Sequence, residues 1–286
     1  MPAIIDRGAD LSLTILSDNT ASPPLQGEHG FSVLLEVNST SVLFDTGMGA
    51  IHSNAIILGI DLSKIKSIIL SHGHYDHTDA LSSVLLISPT TSVYASHSIF
   101  IDHYSMKTGT TRKIGLSEEN KLTLSTMKPD QLHLFSGKTD LLDGKISLLE
   151  HIPRIDPLEI PSPLLFSDAS STTADLFPDE LVLWFNTTKG LVVLTGCCHA
   201  GIRNTCEMVK ELAPGFPLYA IIGGFHLAGV SEERLENTAV YFENENISVV
   251  IPCHCTGRKE TLWLENRLCS RVTKGFCGMK RTFKII

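Results

Sequence analysis

The stretch Ser71-His72-Gly73-His74-Tyr75-Asp76-His77 is the most informative part of the chain, because it places three histidines and a carboxylate within six residues. It directly follows the mostly apolar segment 65–70, which has the length of a buried strand. Neutral imidazole nitrogens and a carboxylate oxygen suit zinc, iron or manganese as ligands. A solvated loop or a core position would explain a single histidine, but this cluster favours a metal site.

The spacing within this stretch predicts two neighbouring ions. On an extended loop, His72 and His74 project the same way and can hold one ion. Asp76 and His77 would then open the following helix and face a second ion. A carboxylate is also stabilised at a helix N-terminus by the helix dipole. We therefore expect divalent metal at this loop, with zinc favoured and manganese or iron as alternatives.

Further metal-type side chains follow predicted strands in the second half of the chain. Strands predicted at 191–195, 218–222 and 249–251 are followed by Cys197, His226 and His254, and helices are predicted at 202–212, 232–243 and 260–267. Earlier strands are predicted at 11–16, 31–37, 41–44, 92–95, 146–149 and 181–186, with helices at 51–58 and 79–86. Residues 99–132 are predicted as a loop or helical insertion, and 154–178 as a mobile loop. We expect one domain over 1–286.

The composition limits the classes of partner and location. Hydrophobic residues at 43% and charged residues at 19% are typical of a globular protein. A net charge of −8 disfavours a large nucleic-acid or anionic-membrane surface, so we expect a small-molecule substrate. No apolar run approaches the ~20 residues that span a bilayer. Seven cysteines without a secretory signal favour reduced thiols and a cytoplasmic location. The oligomeric state is not predicted.

The histidine segment resembles the His-x-His-x-Asp-His signature of the metallo-β-lactamase superfamily, and Asp45-Thr46-Gly47 resembles the element that precedes it there. More narrowly, the chain is similar to the metal-dependent hydrolases often named 7,8-dihydropterin-6-methyl-4-(β-D-ribofuranosyl)-aminobenzene-5′-phosphate synthase. The similar pieces run through nearly the whole chain, and they include 18–20, 28–30, 54–61, 152–154, 195–201, 224–226 and 252–257. The resemblance implies an α+β four-layer αββα sandwich with metals at one edge between the sheets.

The resemblance also implies further ligands. His254 resembles the last histidine ligand, and Cys197 stands where the superfamily usually carries a bridging aspartate. His199 is the alternative to Cys197. His151 lies near the place of the remaining histidine, where related chains often have glutamate. His226 is interpreted as a ligand or as a proton donor to the leaving group.

Other side chains near these motifs receive simpler interpretations. We expect Asp45 to accept the outer N–H of a metal-bound histidine, as carboxylates beside metal sites commonly do. Cys198 is interpreted as a small buried hydrophobic residue. Arg154 and the basic loop Arg112-Lys113 could contact an anionic substrate. We interpret His97, His103 and His133 as structural or exposed, and His29 belongs to the resemblance without an assigned role.

The expected activity is hydrolysis of an ester, lactone or phosphoester-type small molecule by a metal-activated water. Asp76 would hold one metal and orient the water. His226 or another unassigned histidine would donate a proton to the departing group. One alternative is the transferase implied by the subfamily name, in which the ion acts on a diphosphate leaving group. Another is a non-catalytic metal or ligand sensor that has kept the scaffold.

Overall fold

The computed structural model describes residues 9–159 and 162–286. Residues 1–8, where we predicted no secretory signal, and residues 160–161 of the predicted mobile loop lie outside the described residues. In chain order the strands are β1 (Asp10–Ser17), β2 (Ser32–Val37), β3 (Thr40–Phe44), β4 (Ile65–Ile69), β5 (Ser92–Ser96), β6 (Tyr104–Ser105), β7 (Arg112–Lys113), β8 (Leu132–Phe135), β9 (Lys138–Leu141), β10 (Ile146–Glu150), β11 (Leu165–Phe166), β12 (Leu181–Thr187), β13 (Gly190–Thr195), β14 (Leu218–Gly224), β15 (Val249–Cys253) and β16 (Lys280–Lys284).

The helices alternate with the strands in both halves of the chain. They are α1 (Ala50–Leu58), α2 (Tyr75–Thr78), α3 (Leu81–Ile87), α4 (Glu118–Thr126), α5 (Ile202–Leu212), α6 (Glu232–Asn244) and α7 (Arg258–Leu268), with short 3₁₀ turns at Leu62–Lys64, His254–Thr256 and Cys269–Arg271. None of the helices in the described part of the chain is long and apolar enough to cross a membrane.

Two mixed sheets form the centre of the molecule. The first has the order β16-β1-β2-β3-β4-β5-β8, and the second has the order β15-β14-β13-β12-β10-β9. Strands β3, β4, β5 and β8 are mutually parallel, as are β13, β14 and β15. The remaining pairs in the two sheets are antiparallel.

The side chains of β12 explain why the sheets stack into layers. Leu183 and Phe185 point into a core between the two sheets, where they join residues of β1, β2 and β3. Val182 and Trp184, which alternate with them, point the other way and pack against α5, α6 and α7. A strand covered on both faces is apolar over a continuous run, as β12 is from Leu181 to Phe185. Residues of α1, α3 and α4 cover the outer face of the first sheet. The four-layer αββα sandwich is therefore confirmed.

The parallel strands bring the predicted site residues to one edge. In the second sheet, β13, β14 and β15 run in the same direction and are followed by Cys197, His226 and His254. In the first sheet, β4 runs into His72. The carboxyl ends of parallel strands lie at the same edge of a sheet. The strand-to-loop junctions of both sheets therefore surround one site.

A third, small sheet joins the two segments that we predicted as an insertion and a mobile loop. Its order is β11-β6-β7, so a strand from 154–178 pairs with one from 99–132. Ile114, next to β7, accepts a hydrogen bond from the backbone N–H of Tyr75 at 2.9 Å. The small sheet is therefore attached directly to residues 71–77, which we call the histidine loop.

Candidate metal centre

Two imidazoles from different sheets face each other at the centre of the site. His72 follows β4 and His199 follows β13, and their Nε2 atoms are 3.3 Å apart. The ligand atoms of His72, His199 and Cys197 all lie within 4.8 Å of one another, and all three residues are buried. We predicted Cys197 and His199 as alternative ligands, and the structure places both of them in this group.

A second group shares the same thiol. His77 Nε2 lies 3.2 Å from Cys197 Sγ, and His254 completes the group. The thiol of Cys197 thus belongs to both groups. A thiol within reach of two sets of imidazoles is an arrangement that could serve two adjacent cations.

Asp76 connects this second group to the surface. Its Oδ2 atom is 3.0 Å from His254 Nε2 and 3.3 Å from His29 Nε2. His29 is exposed, whereas Asp76 and His254 are buried. We did not assign a role to His29 from the sequence, where the Glu28-His29-Gly30 stretch only belongs to the resemblance.

His74 supplies a test of whether the site fits a cation. Its ring centroid is 4.5 Å from that of His72 and 4.9 Å from that of His199. Its Nε2 atom is buried and has no hydrogen-bond partner among the described residues. A buried polar nitrogen without a partner is costly, and a metal ligand bond removes that cost.

The outer nitrogens of two rings are held by oxygen acceptors. His77 Nδ1 is 2.7 Å from Asp45 Oδ2, and His254 Nδ1 is 2.8 Å from Asn19 Oδ1. Each contact orients the ring so that Nε2 points into the site. The Asp45 carboxylate is itself fixed by the backbone N–H of Ser71 at 2.7 Å and by the Ser71 hydroxyl at 2.6 Å. Asp45 therefore occupies the place that we expected for it.

The ionisation of the buried groups also suits metal binding. Burial lowers the pKa of His72, His74 and His199 well below the ordinary histidine value. These rings are consequently neutral near pH 7, with a lone pair available on each. Burial would raise the pKa of Asp76, but His254 and His77 outweigh it and hold that pKa well below its usual range. The site thus combines neutral nitrogens with a charged carboxylate.

Two other groups would lose protons to a cation. Burial alone would lower the pKa of His77, but Asp45 and Asp76 outweigh it and raise the pKa to about 9. Burial raises the pKa of the Cys197 thiol well above its ordinary value. Because cysteine and histidine must be deprotonated to bind metal, binding here would release protons. The donor set of thiol, imidazole and carboxylate fits a divalent cation.

Of the predicted site residues, His74, His151 and His226 lie outside these three groups, although the ring of His74 contacts those of His72 and His199. His151 is exposed, has a φ of 60°, and donates its backbone N–H to the Glu180 carbonyl. It does not join the other predicted ligands, because the chain turns outward where β10 ends. Cys198 points into the apolar core under α5, as we interpreted it.

His226 lies at the cavity beside the clustered ligands. Its ring centroid is 4.6 Å from that of His199, but it belongs to none of the three groups found among the described residues. Burial is the main cause that lowers its pKa to about 3, so the ring is neutral near pH 7. Its place therefore suits contact with a substrate better than metal ligation.

A cavity of about 100 Å³ opens onto the cluster. The lining combines the candidate ligands His74, Asp76, Cys197, His199 and His254 with residues of the small sheet and the histidine loop, namely Tyr75, Ser105, Lys107, Arg112, Ile114 and Leu165. A larger cavity of about 350 Å³ lies beside His254, but that histidine is the only predicted ligand that lines it among the described residues. The cavity of about 100 Å³ is therefore the candidate substrate site, because it is lined by several of the predicted ligands.

A buried histidine that we interpreted as structural or exposed supports the loop from behind. His103 Nδ1 is 2.5 Å from Asp175 Oδ2, and its Nε2 is 3.1 Å from Asp179 Oδ2. The same Asp179 oxygen accepts the backbone N–H of Gly73 at 2.7 Å. The ring also contacts that of His74 edge-on at 5.1 Å. His103 thus holds the loop between two predicted ligands.

Comparisons with known proteins agree with this fold. The model of the metallo-β-lactamase superfamily matches residues 25–202. A protein of Methanocaldococcus jannaschii that is described only as uncharacterised is 33% identical over 251 residues, covering 86% of this chain and 91% of that protein. The 7,8-dihydropterin-6-methyl-4-(β-D-ribofuranosyl)-aminobenzene-5′-phosphate synthase of the same organism is 29% identical over 265 residues, covering 85% and 86%.

Among solved structures, one described as a metal-dependent hydrolase of the β-lactamase superfamily has a TM-score of 0.78 and 29% sequence identity to this chain. The match covers 95% of this chain and 98% of that one. The fold and the matched family model agree. The chain therefore belongs to the metallo-β-lactamase superfamily.

Proposed function

We propose that the protein is a metal-dependent hydrolase that uses an activated water on an ester, lactone or phosphoester-type small molecule. The observation that carries the proposal is the buried cluster of imidazoles, thiol and carboxylate that opens onto a cavity. The unpartnered Nε2 atom of His74 supports it, since most buried polar nitrogens in proteins have a hydrogen-bond partner and a bound cation would supply the missing one here.

The ligand groups suggest how two cations would be shared. His72, His74 and His199 would hold one, and Asp76, His77 and His254 would hold the other, with Cys197 between them. The thiol favours zinc, while manganese and iron remain open. A bound cation would supply an acidified water and would stabilise negative charge as it develops on the substrate.

The remaining roles belong to side chains at the cavity. Asp76 would accept a hydrogen bond from the attacking water, because its carboxylate stays charged and lines the cavity. His226 would form a hydrogen bond to the departing group through its ring N–H, from the same cavity wall. A cavity of about 100 Å³ suits a small molecule or one end of a larger one. We further propose a cytoplasmic location, since none of the seven cysteines, all of which are described, forms a disulfide.

The second candidate is a transferase that acts on a pterin diphosphate. It is favoured by one observation, the 29% identity to a relative named as a dihydropterin ribofuranosyl-aminobenzene phosphate synthase. In that case water would be replaced by an aminobenzene nucleophile. Release of diphosphate that depends on a pterin substrate would select this candidate over the hydrolase.

The experiment is a hydrolysis screen with matched variants. Metal-free protein would be reloaded with zinc, manganese or iron and tested on esters, lactones, phosphodiesters and phosphonates. We expect turnover that His72→Ala/His74→Ala abolishes and that the exposed control His97→Ala retains. Turnover by metal-free protein would contradict the proposal. Tight metal binding without turnover of any compound would favour a sensor.

A further inference from the structure

Two basic side chains lie at the rim of the cavity without acidic partners. Lys107 and Arg112 both line the cavity, and both are exposed. They lie at the two ends of the turn that connects β6 to β7 in the small sheet. In the described part of the chain, neither side chain forms an ion pair with an aspartate or glutamate. Such unpaired charges are ordinary on an open surface, but here they face a concave site.

Arg112 is held in place by an aromatic ring of the histidine loop. Its guanidinium lies 5.5 Å from the ring centroid of Tyr75, and its Nη2 donates to the Tyr75 hydroxyl at 3.3 Å. Stacking of this kind leaves the edge of the guanidinium free to donate two parallel hydrogen bonds to an oxyanion. Tyr75 therefore positions the charge without neutralising it.

Neighbouring basic residues behave differently. Lys113 pairs with Asp102 at 2.9 Å and with Glu118 at 2.7 Å. Arg154 donates to the backbone carbonyls of His199 and Leu176, so it is used in holding the loops together. Of the basic residues that we singled out in the sequence, only Arg112 is thus available to bind a ligand. Lys107, which also lines the cavity, is the second such side chain.

The charge balance of the cavity also favours an anion. The chain as a whole carries a net charge of −8, yet the lining of this cavity contains two cations and, among the described residues, the single carboxylate of Asp76. Asp76 is already engaged by His254 and His29. A cleft lined by charges of one sign concentrates ligands of the opposite sign.

We propose that Lys107 and Arg112 form a binding site for a doubly charged oxyanion, such as a phosphate monoester or phosphonate group, carried by the small molecule that occupies this cavity. The proposal rests on the proposed function and narrows its substrate class. Lys107 would supply a point charge, and Arg112 would supply a planar pair of donors. The group so held would lie at the small sheet, whose residues line the same cavity as the candidate ligands.

The test measures binding, with inorganic pyrophosphate as the probe. Zinc-loaded wild type, Lys107→Gln/Arg112→Gln and the control Lys113→Gln would be titrated by calorimetry at several salt concentrations. We expect the Kd for pyrophosphate to rise about tenfold for each of the two basic side chains that is replaced. The salt dependence of that Kd should also become weaker in the double variant. The control should stay within about twofold, because Lys113 is already paired.

Two results would overturn the proposal. One is unchanged affinity in the double variant, and the other is an equal loss in Lys113→Gln, which would indicate only the general field of the protein. Zinc content and melting temperature would be measured for each variant, and Arg112→Lys would replace a double variant that fails to fold. If the protein hydrolyses no compound but still needs Lys107 and Arg112 to bind pyrophosphate, the proposed hydrolase is refuted and the proposed oxyanion site is retained.

Discussion

His77 and Asp45 are joined by a hydrogen bond of 2.7 Å between Nδ1 and Oδ2, and both side chains are fully buried. On the other side of the same ring, Nε2 faces the Cys197 thiol at 3.2 Å. The carboxylate thus determines which nitrogen of His77 points into the site, although it does not itself reach a cation.

The first prediction follows from that contact. Asp45→Ala should lower metal affinity by about 10- to 100-fold, because His77 and the Ser71 backbone lose their acceptor. Competition with a fluorescent chelator would measure this. The control Asp79→Ala removes an exposed carboxylate next to the same loop and should leave affinity unchanged. Equal affinities for wild type and Asp45→Ala would refute the positioning role.

The second prediction separates His199 from His151. His199→Ala should lose about one bound ion, since its Nε2 faces that of His72. His151→Ala should keep the full metal content, because this exposed side chain lies outside the three groups among the described residues. Elemental analysis of both purified variants gives the answer. Metal loss from His151→Ala alone would show that the chain after β10 folds inward when metal binds.

The third prediction concerns the two adjacent thiols. Cobalt-loaded wild type should show a near-ultraviolet thiolate-to-cobalt absorption band that disappears in Cys197→Ser. Cys198→Ser should retain the band but lose about 1–3 kcal/mol of stability, because its side chain is packed in the apolar core. If the band depended on Cys198 instead, the orientation of the segment after β13 would be wrong.

The fourth prediction is a pH dependence of stability. Burial would lower the pKa of His103, but Asp179 and Asp175 outweigh it and raise the pKa to about 10. Because this folded-state value exceeds the ordinary value of about 6.5, the stabilisation is fully present below pH 6.5 or so. It is lost as pH rises through about 10.

Urea unfolding of metal-free protein measures that contribution. At pH 7, His103→Ala should be less stable than wild type by about 3–5 kcal/mol, since two buried carboxylates lose their partner. The difference should shrink as the pH approaches 10.5. His97→Ala, an exposed control, should show no such trend. A difference that stays constant over this range would mean that His103 is neutral in the folded protein.

Much of the fold could be predicted from local patterns. The alternation in 11–16 and the apolar run that opens 181–186 indicate strands covered on one or two faces, and both segments are strands of the sandwich. The histidine loop could be predicted because its ligands are neighbours in sequence. The strands β8 and β16 were not predicted, since each is short and pairs with a strand from a distant part of the chain. The strand β9 was also not predicted, because it is short and mostly polar, although it pairs with the neighbouring β10.

The parts of the site that depend on distant pairing were harder to predict. His103 contacts Asp175 and Asp179, which lie more than seventy residues away in sequence, so no local spacing marks it. The strands β6, β7 and β11 have two residues each, and no periodicity can be detected in a segment of that length. Lys107 was therefore not recognised as lining the cavity.

The central claim is that the cluster around Cys197 holds divalent cations. Anomalous diffraction at the zinc edge, from crystals of the zinc-loaded protein, tests this most directly. We predict one peak among His72, His74 and His199 and a second among Asp76, His77 and His254, with Cys197 between the two. A map without any peak in this cavity, from protein shown to carry zinc, would contradict the claim.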